Sequence, residues 1–319
     1  MDRNASASAN GWIFQVASGV YLFFKNIKEN KSIKIEGQKE DIEIICEEGK
    51  KYIQVKSILN VNERSSVYSH YSKALKSLRD ADEGECELIY FSNIRDPFNT
   101  NEGSFYDYGT SFSFNDLTKD AQKKIRKILG EEFNYSKLTI MIVNSFGTDE
   151  SKKKFVINEI ESFLSKVDSS TSKASQIYES LFTKFFYNAS NKSVKINKES
   201  FIHCILLPYL NQTINEDDFV KLIDIEYYDE INDKYERYLY QNEFNYELYI
   251  KINSLYREYK KNHNNSNVFD YINNEYCSFS DVIPNSFDIN IGYGLIKLLM
   301  YRVIRKSSLL LKIKEESGL

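Results

Sequence analysis

The sequence predicts an α/β protein in which a mixed sheet flanked by helices is followed by a mainly α-helical C-terminal region. Residues 34–57 show the alternation of a two-stranded hairpin, and a helical pattern followed by a buried strand comes directly after them. Strand signals fade after residue 175. These three observations divide the chain into a predicted α/β domain over residues 1–210 and a predicted helical domain over residues 211–319.

The hairpin is the best-defined element of the prediction. Residues 39–46 and 52–56 each alternate between apolar and polar side chains, and residues 47–50 form a polar turn that contains Gly49. Side chains change face at every residue of a strand. One face therefore carries Ile42, Ile44, Cys46, Ile53 and Val55. The other face brings together Asp41, Gln54 and Lys56.

The elements before and after the hairpin follow from apolar spacing. Residues 11–28 show apolar positions at helical spacing after a candidate cap at Asn10, and residues 65–79 repeat that spacing. An apolar run at residues 88–93 predicts a buried strand. The second helix would then cross over between two strands, which is the arrangement of parallel strands covered by helices. Residues 94–115 are rich in Gly, Asn and Ser and predict a loop.

The remaining elements are mostly helices. A basic helix is predicted to open at Asp116, and a strand is predicted over residues 137–143. Helical patterns continue at residues 153–167, 177–187, 201–210, 216–261 and 293–313. The segment 216–261 is crowded with Tyr, which favours either an interaction surface or a plainly packed helical domain.

Composition restricts the possible functions only weakly. The formal net charge of −4 counts weakly against nucleic-acid binding. A run of lysines offsets this, because their positions in the sequence suggest a basic surface near Lys56: Lys25, Lys28, Lys31, Lys34, Lys50, Lys51 and Lys56. The four cysteines lack the spacing of a zinc site and indicate reduced thiols in a cytoplasmic protein.

The residue types on the polar face of the hairpin suit phosphodiester cleavage. The Asp41 carboxylate, together with Glu36 or substrate oxygens, offers the hard oxygen ligands that Mg²⁺ prefers. Gln54 can contribute its amide oxygen, and Lys56 can hold a water molecule and stabilise negative charge. A hairpin with one solvated face, which also carries Asp, Glu and Lys, is the alternative.

A family resemblance adds to this pattern. Asp41, followed thirteen positions later by Gln54, Val55 and Lys56, resembles the variant of the PD-(D/E)xK nuclease signature that carries Gln at the middle position. Residues 11–15 (GWIFQ) and 35–37 (IEG) extend the similarity. Together they resemble the nuclease domain of bacterial anti-phage effectors, such as the double-stranded DNA endonuclease of CBASS systems and the nuclease subunit of Lamassu systems.

The resemblance implies a restriction-endonuclease-like core and a Mg²⁺- or Mn²⁺-dependent endodeoxyribonuclease. It implies catalytic roles for Asp41, Gln54, Lys56, Glu36 and Gln15, and metal binding by Asp41, Gln54 and Glu36. Gln15, as a lone polar residue of an apolar helix, is equally consistent with a structural hydrogen-bonding role. The chain departs from the common signature in carrying Gln54 in place of Glu or Asp, and in lacking Pro before Asp41.

The resemblance also implies partners. The expected substrate is double-stranded DNA, and the setting is an anti-phage system, in the first place a Lamassu-like one. The chain has no recognisable ATPase module, so activation is expected from an SMC-like or HerA-like ATPase subunit or from homo-oligomerisation through residues after 211. No membrane association is expected. A non-catalytic binding subunit with a degenerate nuclease fold, or an RNA nuclease, are the alternatives.

Overall fold

The computed structural model describes residues 2–60, 67–98, 106–167, 169–189, 194–212, 214–241, 246–283 and 287–319. The chain forms two compact units: the first consists of Met1–Ser165 with Leu181–Lys198, and the second of Lys166–Ser180 with Glu199–Leu319. The chain thus passes between the units three times, whereas the sequence predicts one division, after residue 210. That division into functional regions stays a prediction.

The first unit is built on a seven-stranded mixed sheet flanked by helices, as the sequence predicts for its α/β part. Its strands are β1 (Asn30–Ile35), β2 (Ile42–Cys46), β3 (Lys50–Lys56), β4 (Cys86–Ser92), β5 (Thr110–Ser113), β6 (Leu138–Ile142) and β7 (Ile196–Asn197). Its helices are α1 (Asp2–Lys25), α2 (Val67–Ala81), α3 (Lys119–Leu129) and α4 (Asp149–Lys166), and α5 (Ala174–Ala189) spans the junction with the second unit.

The strand order is β5-β6-β4-β3-β2-β1-β7. β1, β2 and β3 form an antiparallel meander, and β3, β4 and β6 run parallel to one another. α2 connects β3 to the parallel strand β4, which confirms the predicted crossover. β5 and β7 are the antiparallel edge strands.

Both faces of the sheet are covered. α2 presents buried residues at helical spacing, and its Tyr71 packs edge-on against Tyr90 of β4 and against Phe98, with 5.0 Å between ring centroids in each pair. Tyr52 of β3 belongs to the same cluster and is 2% exposed. The polar side of the hairpin is therefore covered by α2 over much of its length, and the alternative of a hairpin with one solvated face is wrong for the covered part.

α1 and α4 lie on the opposite face. Phe14 of α1 is 5.8 Å from Phe91 of β4 between ring centroids, and Phe155 of α4 contacts both rings. Since Phe91 and Tyr90 are consecutive strand residues, their side chains point to opposite faces. The arrangement is thus a three-layer sandwich with helices on both sides of the sheet.

The turn between β2 and β3 sets the register of the hairpin. Gly49 has a φ of 81°, and the backbone N–H of Cys46 donates to its carbonyl at 3.1 Å. A Cβ at this position would lie 2.5 Å from the carbonyl oxygen of Glu85. Glycine is required here both for the left-handed conformation and for the close approach of the backbone at Glu85.

We expect Gly49→Ala to lower the free energy of unfolding by more than about 2 kcal/mol, because it adds a backbone clash to the left-handed strain. Gly84→Ala is the matched control: Gly84 has a φ of 55°, but an added methyl group there would meet open space. The control should cost only about 1–2 kcal/mol. Urea unfolding of both variants measures the difference, and equal losses would contradict this account of the turn.

Three short strands are absent from the sequence prediction. Only the last two residues of β1 fall within the predicted hairpin segment 34–57. β7 has two residues, and β5 lies in the predicted loop over 94–115. Residues 99–105 of that loop, and residues 65–66 of the second predicted helix, are outside the described part of the chain. Tertiary pairing, rather than a strong local pattern, makes these strands.

The second unit is helical, which agrees with the predicted helical C-terminal region. Its helices are α6 (Lys198–Leu210), α7 (Glu216–Phe219), α8 (Tyr228–Gln241), α9 (Tyr246–Asn262), α10 (Val268–Glu275), α11 (Ile289–Arg305) and α12 (Ser307–Ser317). In its described residues, the predicted helical region 216–261 contains α7, α8 and α9. The helix predicted over 293–313 is interrupted at Lys306, whose φ and ψ are −106° and 16°.

No helix in the described part of the chain is long and apolar enough to cross a membrane.

Candidate active site

Three groups converge on one oxygen of Asp41. The side-chain amide of Gln54 donates to Asp41 Oδ2, the backbone N–H of Val55 donates to the same atom at 2.9 Å, and Lys56 Nζ lies 3.4 Å from it. The three side chains that the sequence places on one face are therefore in direct contact. The result is a carboxylate held by one ammonium group and two N–H donors.

The strand register explains this convergence. Ile42 pairs with Ile53 in the β2–β3 ladder, so the position before Ile42 lies opposite Gln54. Lys56, two residues further along β3, shares the face of Gln54. Gln54 is 6% exposed, whereas the side chains of Lys56 and Asp41 are 32% and 26% exposed. The inner part of the site, at Gln54, is thus buried, whereas Asp41 and Lys56 are accessible to solvent.

Gln15 and Glu36 support this arrangement from α1 and the β1–β2 connection. Gln15 Nε2 donates to the Asp41 carbonyl at 2.8 Å and to Glu36 Oε1 at 2.9 Å. The N–H of Glu36 donates to the same carbonyl at 2.8 Å, and Glu36 has a φ of 53°. A left-handed non-glycine residue is costly and persists only where its surroundings hold it. Gln15 and Glu36 therefore fix the backbone from which the Asp41 side chain projects.

Glu40 is a residue of the site that the sequence reasoning missed. It is 5% exposed, Ser77 of α2 donates to its Oε1 at 2.8 Å, and its Oε2 has no hydrogen-bond partner among the described residues. The pKa of the Glu40 carboxyl is raised to about 7, mainly by burial and also by the neighbouring Asp41 carboxylate, while the hydrogen bond from Ser77 and the charge of Lys56 oppose the rise. A second carboxyl group thus lies beside Asp41 in the covered part of the site.

For Lys31, Lys50 and Lys51, the predicted basic surface near Lys56 is wrong in its location. Lys50 and Lys51 pair with Ile45 and Ile44, at the end of the hairpin opposite to Lys56. Lys56 is six positions after Lys50 along the strand, or roughly 20 Å away. These lysines form ion pairs: Lys31 with Glu47, Lys50 with Glu83 and Lys51 with Glu87. These lysines are close to Lys56 in the sequence, but the antiparallel meander places them away from the site. Their ion pairs neutralise much of their charge.

The donor set fits a magnesium ion held with few protein ligands. Asp41 is a partly exposed carboxylate, and the buried Oε2 of Glu40 is an acceptor without a partner among the described residues. The described residues contain no group of three or more His, Cys, Asp or Glu side chains placed to hold a metal ion. Mg²⁺ commonly keeps several waters and uses one or two carboxylates together with substrate phosphates. Asp41, with Gln54 beside it, therefore fits such a site, whereas a fully protein-coordinated ion does not fit.

Gln54 acts as a donor in this arrangement, because its amide nitrogen rather than its oxygen faces Asp41. Its predicted role as a metal ligand, and that of Glu36, whose Oε1 accepts from Gln15, stay predictions.

No family model matches the chain, and no curated protein or solved structure shows significant similarity to it.

Proposed function

We propose that the first unit is a Mg²⁺-dependent endodeoxyribonuclease that hydrolyses phosphodiester bonds of double-stranded DNA. The observation that carries this proposal is the contact of Gln54, Lys56 and the Val55 N–H with one carboxylate oxygen of Asp41 at a solvent-accessible end of the sheet. An adjacent carboxylate and ammonium group provide a ligand for a cation and a fixed positive charge, close enough together to act on the same phosphate group.

Each residue has a separate role in the proposal. When bound, Mg²⁺ neutralises phosphate charge and lowers the pKa of a coordinated water. Asp41 would hold the ion, with Gln54 and Glu36 as secondary candidates, and Gln15 and Glu36 position the Asp41 backbone. Lys56 orients the attacking water and stabilises negative charge that develops on the phosphorus-bound oxygens.

The order of elements supports the nuclease assignment. α1 is followed by the three-stranded meander β1–β3, the crossover helix α2 and the parallel strand β4. This order is compatible with the restriction-endonuclease-like core that the sequence resemblance implies. Asp41 directly precedes β2 and Lys56 ends the antiparallel strand β3, so the candidate residues lie at the same edge of the sheet. Sheets flanked by helices commonly carry their sites at such an edge.

The proposed setting rests on the resemblance. The chain would act as the effector subunit of an anti-phage system, Lamassu-like in the first place, and an SMC-like or HerA-like ATPase or self-association would gate it. The predicted region 211–319, which belongs to the helical second unit, is the proposed docking part. Gating would protect host DNA from an otherwise unregulated nuclease.

The test uses supercoiled plasmid, the purified protein alone or together with its gating partner, and Mg²⁺ or Mn²⁺, with EDTA as the blank. Wild type is expected to nick or linearise DNA, and Asp41→Asn is expected to abolish both cleavage and Mn²⁺ binding measured by titration calorimetry. Asp80→Asn is the matched control, because its side chain is 71% exposed and bonded to Arg79 on the outside of α2. Cleavage that persists in Asp41→Asn would remove this assignment of the site.

A non-catalytic binding subunit is the second candidate. The donor role of Gln54 and the absence of a three-residue acidic cluster among the described residues favour it. It predicts Mn²⁺ binding too weak to measure and no cleavage, with DNA binding intact. An RNA nuclease predicts metal binding with preferential cleavage of RNA, so matched DNA and RNA substrates are compared in the same assay.

A further inference from the structure

The second unit contains a basic cavity that plays no part in the proposed nuclease site. Its volume is about 550 Å³, which is within the size range of small-molecule sites. It lies between the chain following α4, the end of α6 and the break between α11 and α12. All of its lining residues belong to the second unit.

The charge of the lining has one sign. Four cationic side chains line the cavity, and no described lining residue is Asp or Glu: Lys173, Arg305, Lys306 and Lys312. Asp168, between two lining residues, is outside the described part of the chain. The whole sequence has more acidic than basic residues, 46 against 42. A concave surface with four cations therefore selects for an anion, because a cavity with low-dielectric walls concentrates the field of its charges.

Two of these cations form no close ion pair in the described part of the chain. Neither Arg305 nor Lys306 forms an ion pair with a carboxylate among the described residues, in contrast to Lys221 and Lys234 of the same unit, which pair with Asp218 and Glu230. Arg305 is exposed and Lys306 is half-buried. The pKa of Asp218 is lowered by its hydrogen bonds with Tyr301 and Lys221 and, to a smaller extent, by the charge of Arg305, so Arg305 is shared between this carboxyl and the cavity.

Neutral donors complete the lining. Hydroxyl groups are contributed by Ser169, Ser170, Ser172, Ser308 and Tyr209. The cavity also includes the first turn of α12, an eleven-residue helix whose start has no side-chain cap. The N–H groups in the first turn of a helix carry partial positive charge. The break at Lys306 is what exposes this turn beside the four cations.

We propose that this cavity binds a small organic phosphate. A phosphate group carries close to two negative charges and three acceptor oxygens, which matches several cations, hydroxyl donors and a helix start better than a singly charged carboxylate does. The cavity is larger than one phosphate group, and Val167 and Leu309 provide apolar surface for the organic part. This inference does not depend on the nuclease assignment, since the two sites share no residue.

The experiment titrates full-length protein with AMP, pyrophosphate and sulfate in EDTA, so that no divalent cation contributes, and follows binding by calorimetry. Arg305→Gln with Lys306→Gln is expected to weaken AMP binding by roughly 10–100-fold, as expected for the loss of two charged contacts. Arg237→Gln with Lys261→Gln is the control: it removes the same charge from exposed positions of the same unit that do not line the cavity. The control is expected to bind AMP within about twofold of wild type.

Each outcome decides the proposal. Weaker AMP binding in the cavity variant alone, with unchanged thermal unfolding, supports it. Equal weakening in both variants would assign the effect to net charge and overturn it. Equal affinity for sulfate and AMP would overturn the organic phosphate as the ligand, and absence of AMP binding by wild type at millimolar concentration would overturn the site. None of these readouts requires DNA cleavage.

Discussion

Replacing Lys56 with methionine is expected to slow DNA cleavage by about 10²–10³-fold, the usual cost of removing one fixed group that stabilises developing negative charge. Lys56 Nζ is 3.4 Å from Asp41 Oδ2 and its side chain is one-third exposed, so the ammonium group is available to a substrate phosphate. Methionine keeps most of the length of the side chain and removes the charge. Single-turnover cleavage of a defined duplex measures the loss.

Lys50→Met is the matched control for this variant. Lys50 begins the same strand on the same face, is exposed, and pairs with Glu83. Loss of an exposed ion pair costs at most about 1 kcal/mol of stability, and no effect on the rate is expected. Lys56→Arg should restore only part of the activity, because a guanidinium group differs in shape and hydration. A Lys56→Met enzyme that cleaves at the rate of the Lys50→Met enzyme would rule out the proposed role.

Glu40→Gln is expected to make the protein more stable at alkaline pH, by up to about 3 kcal/mol near pH 8. The pKa of Glu40 in the folded protein, about 7, is above its ordinary value of 4.5. The folded protein therefore holds this proton more tightly than the unfolded chain does. The stability contributed by the neutral carboxyl is fully present below about pH 4.5 and is lost as the pH rises through about 7.

Glutamine is neutral at every pH and keeps the acceptor for Ser77, so the variant should lack this loss. Urea unfolding in EDTA between about pH 5 and pH 8 measures the two curves. Glu48→Gln, in the exposed turn of the hairpin, controls for the change in net charge. Parallel curves for wild type and Glu40→Gln would show that the carboxyl is not held neutral by its surroundings.

The contrast between Asp41 and Glu40 shows what sequence reasoning can reach. Asp41, Gln54 and Lys56 could be brought together from the sequence because strand period and a glycine turn set which side chains share a face. Asp41 directly precedes β2 and still follows its alternation, whereas Glu40, one residue further back in the bend after Gly37, departs from it and contacts α2. Its burial depends on α2 and Ser77, which lie well beyond the hairpin along the chain.

Two other differences have the same origin. The lysines around residue 50 are close to Lys56 in the sequence, but the antiparallel meander carries them to the far end of the sheet. The break between α11 and α12 has no Pro or Gly to mark it, since Arg305, Lys306 and Ser307 are ordinary helix residues. Periodicity predicts elements and faces well, whereas the meeting of distant segments is decided by packing.

The lengths of the two outermost strands bear on how copies of the protein can associate. β7 has two residues and β5 has four, so each border of the sheet offers few backbone groups for an incoming strand. Long unpaired borders are the usual template for joining two sheets into one across a dimer axis. In the described part of the chain, self-association by sheet extension is therefore disfavoured at both borders, which favours helical surfaces and side-chain contacts for any dimer.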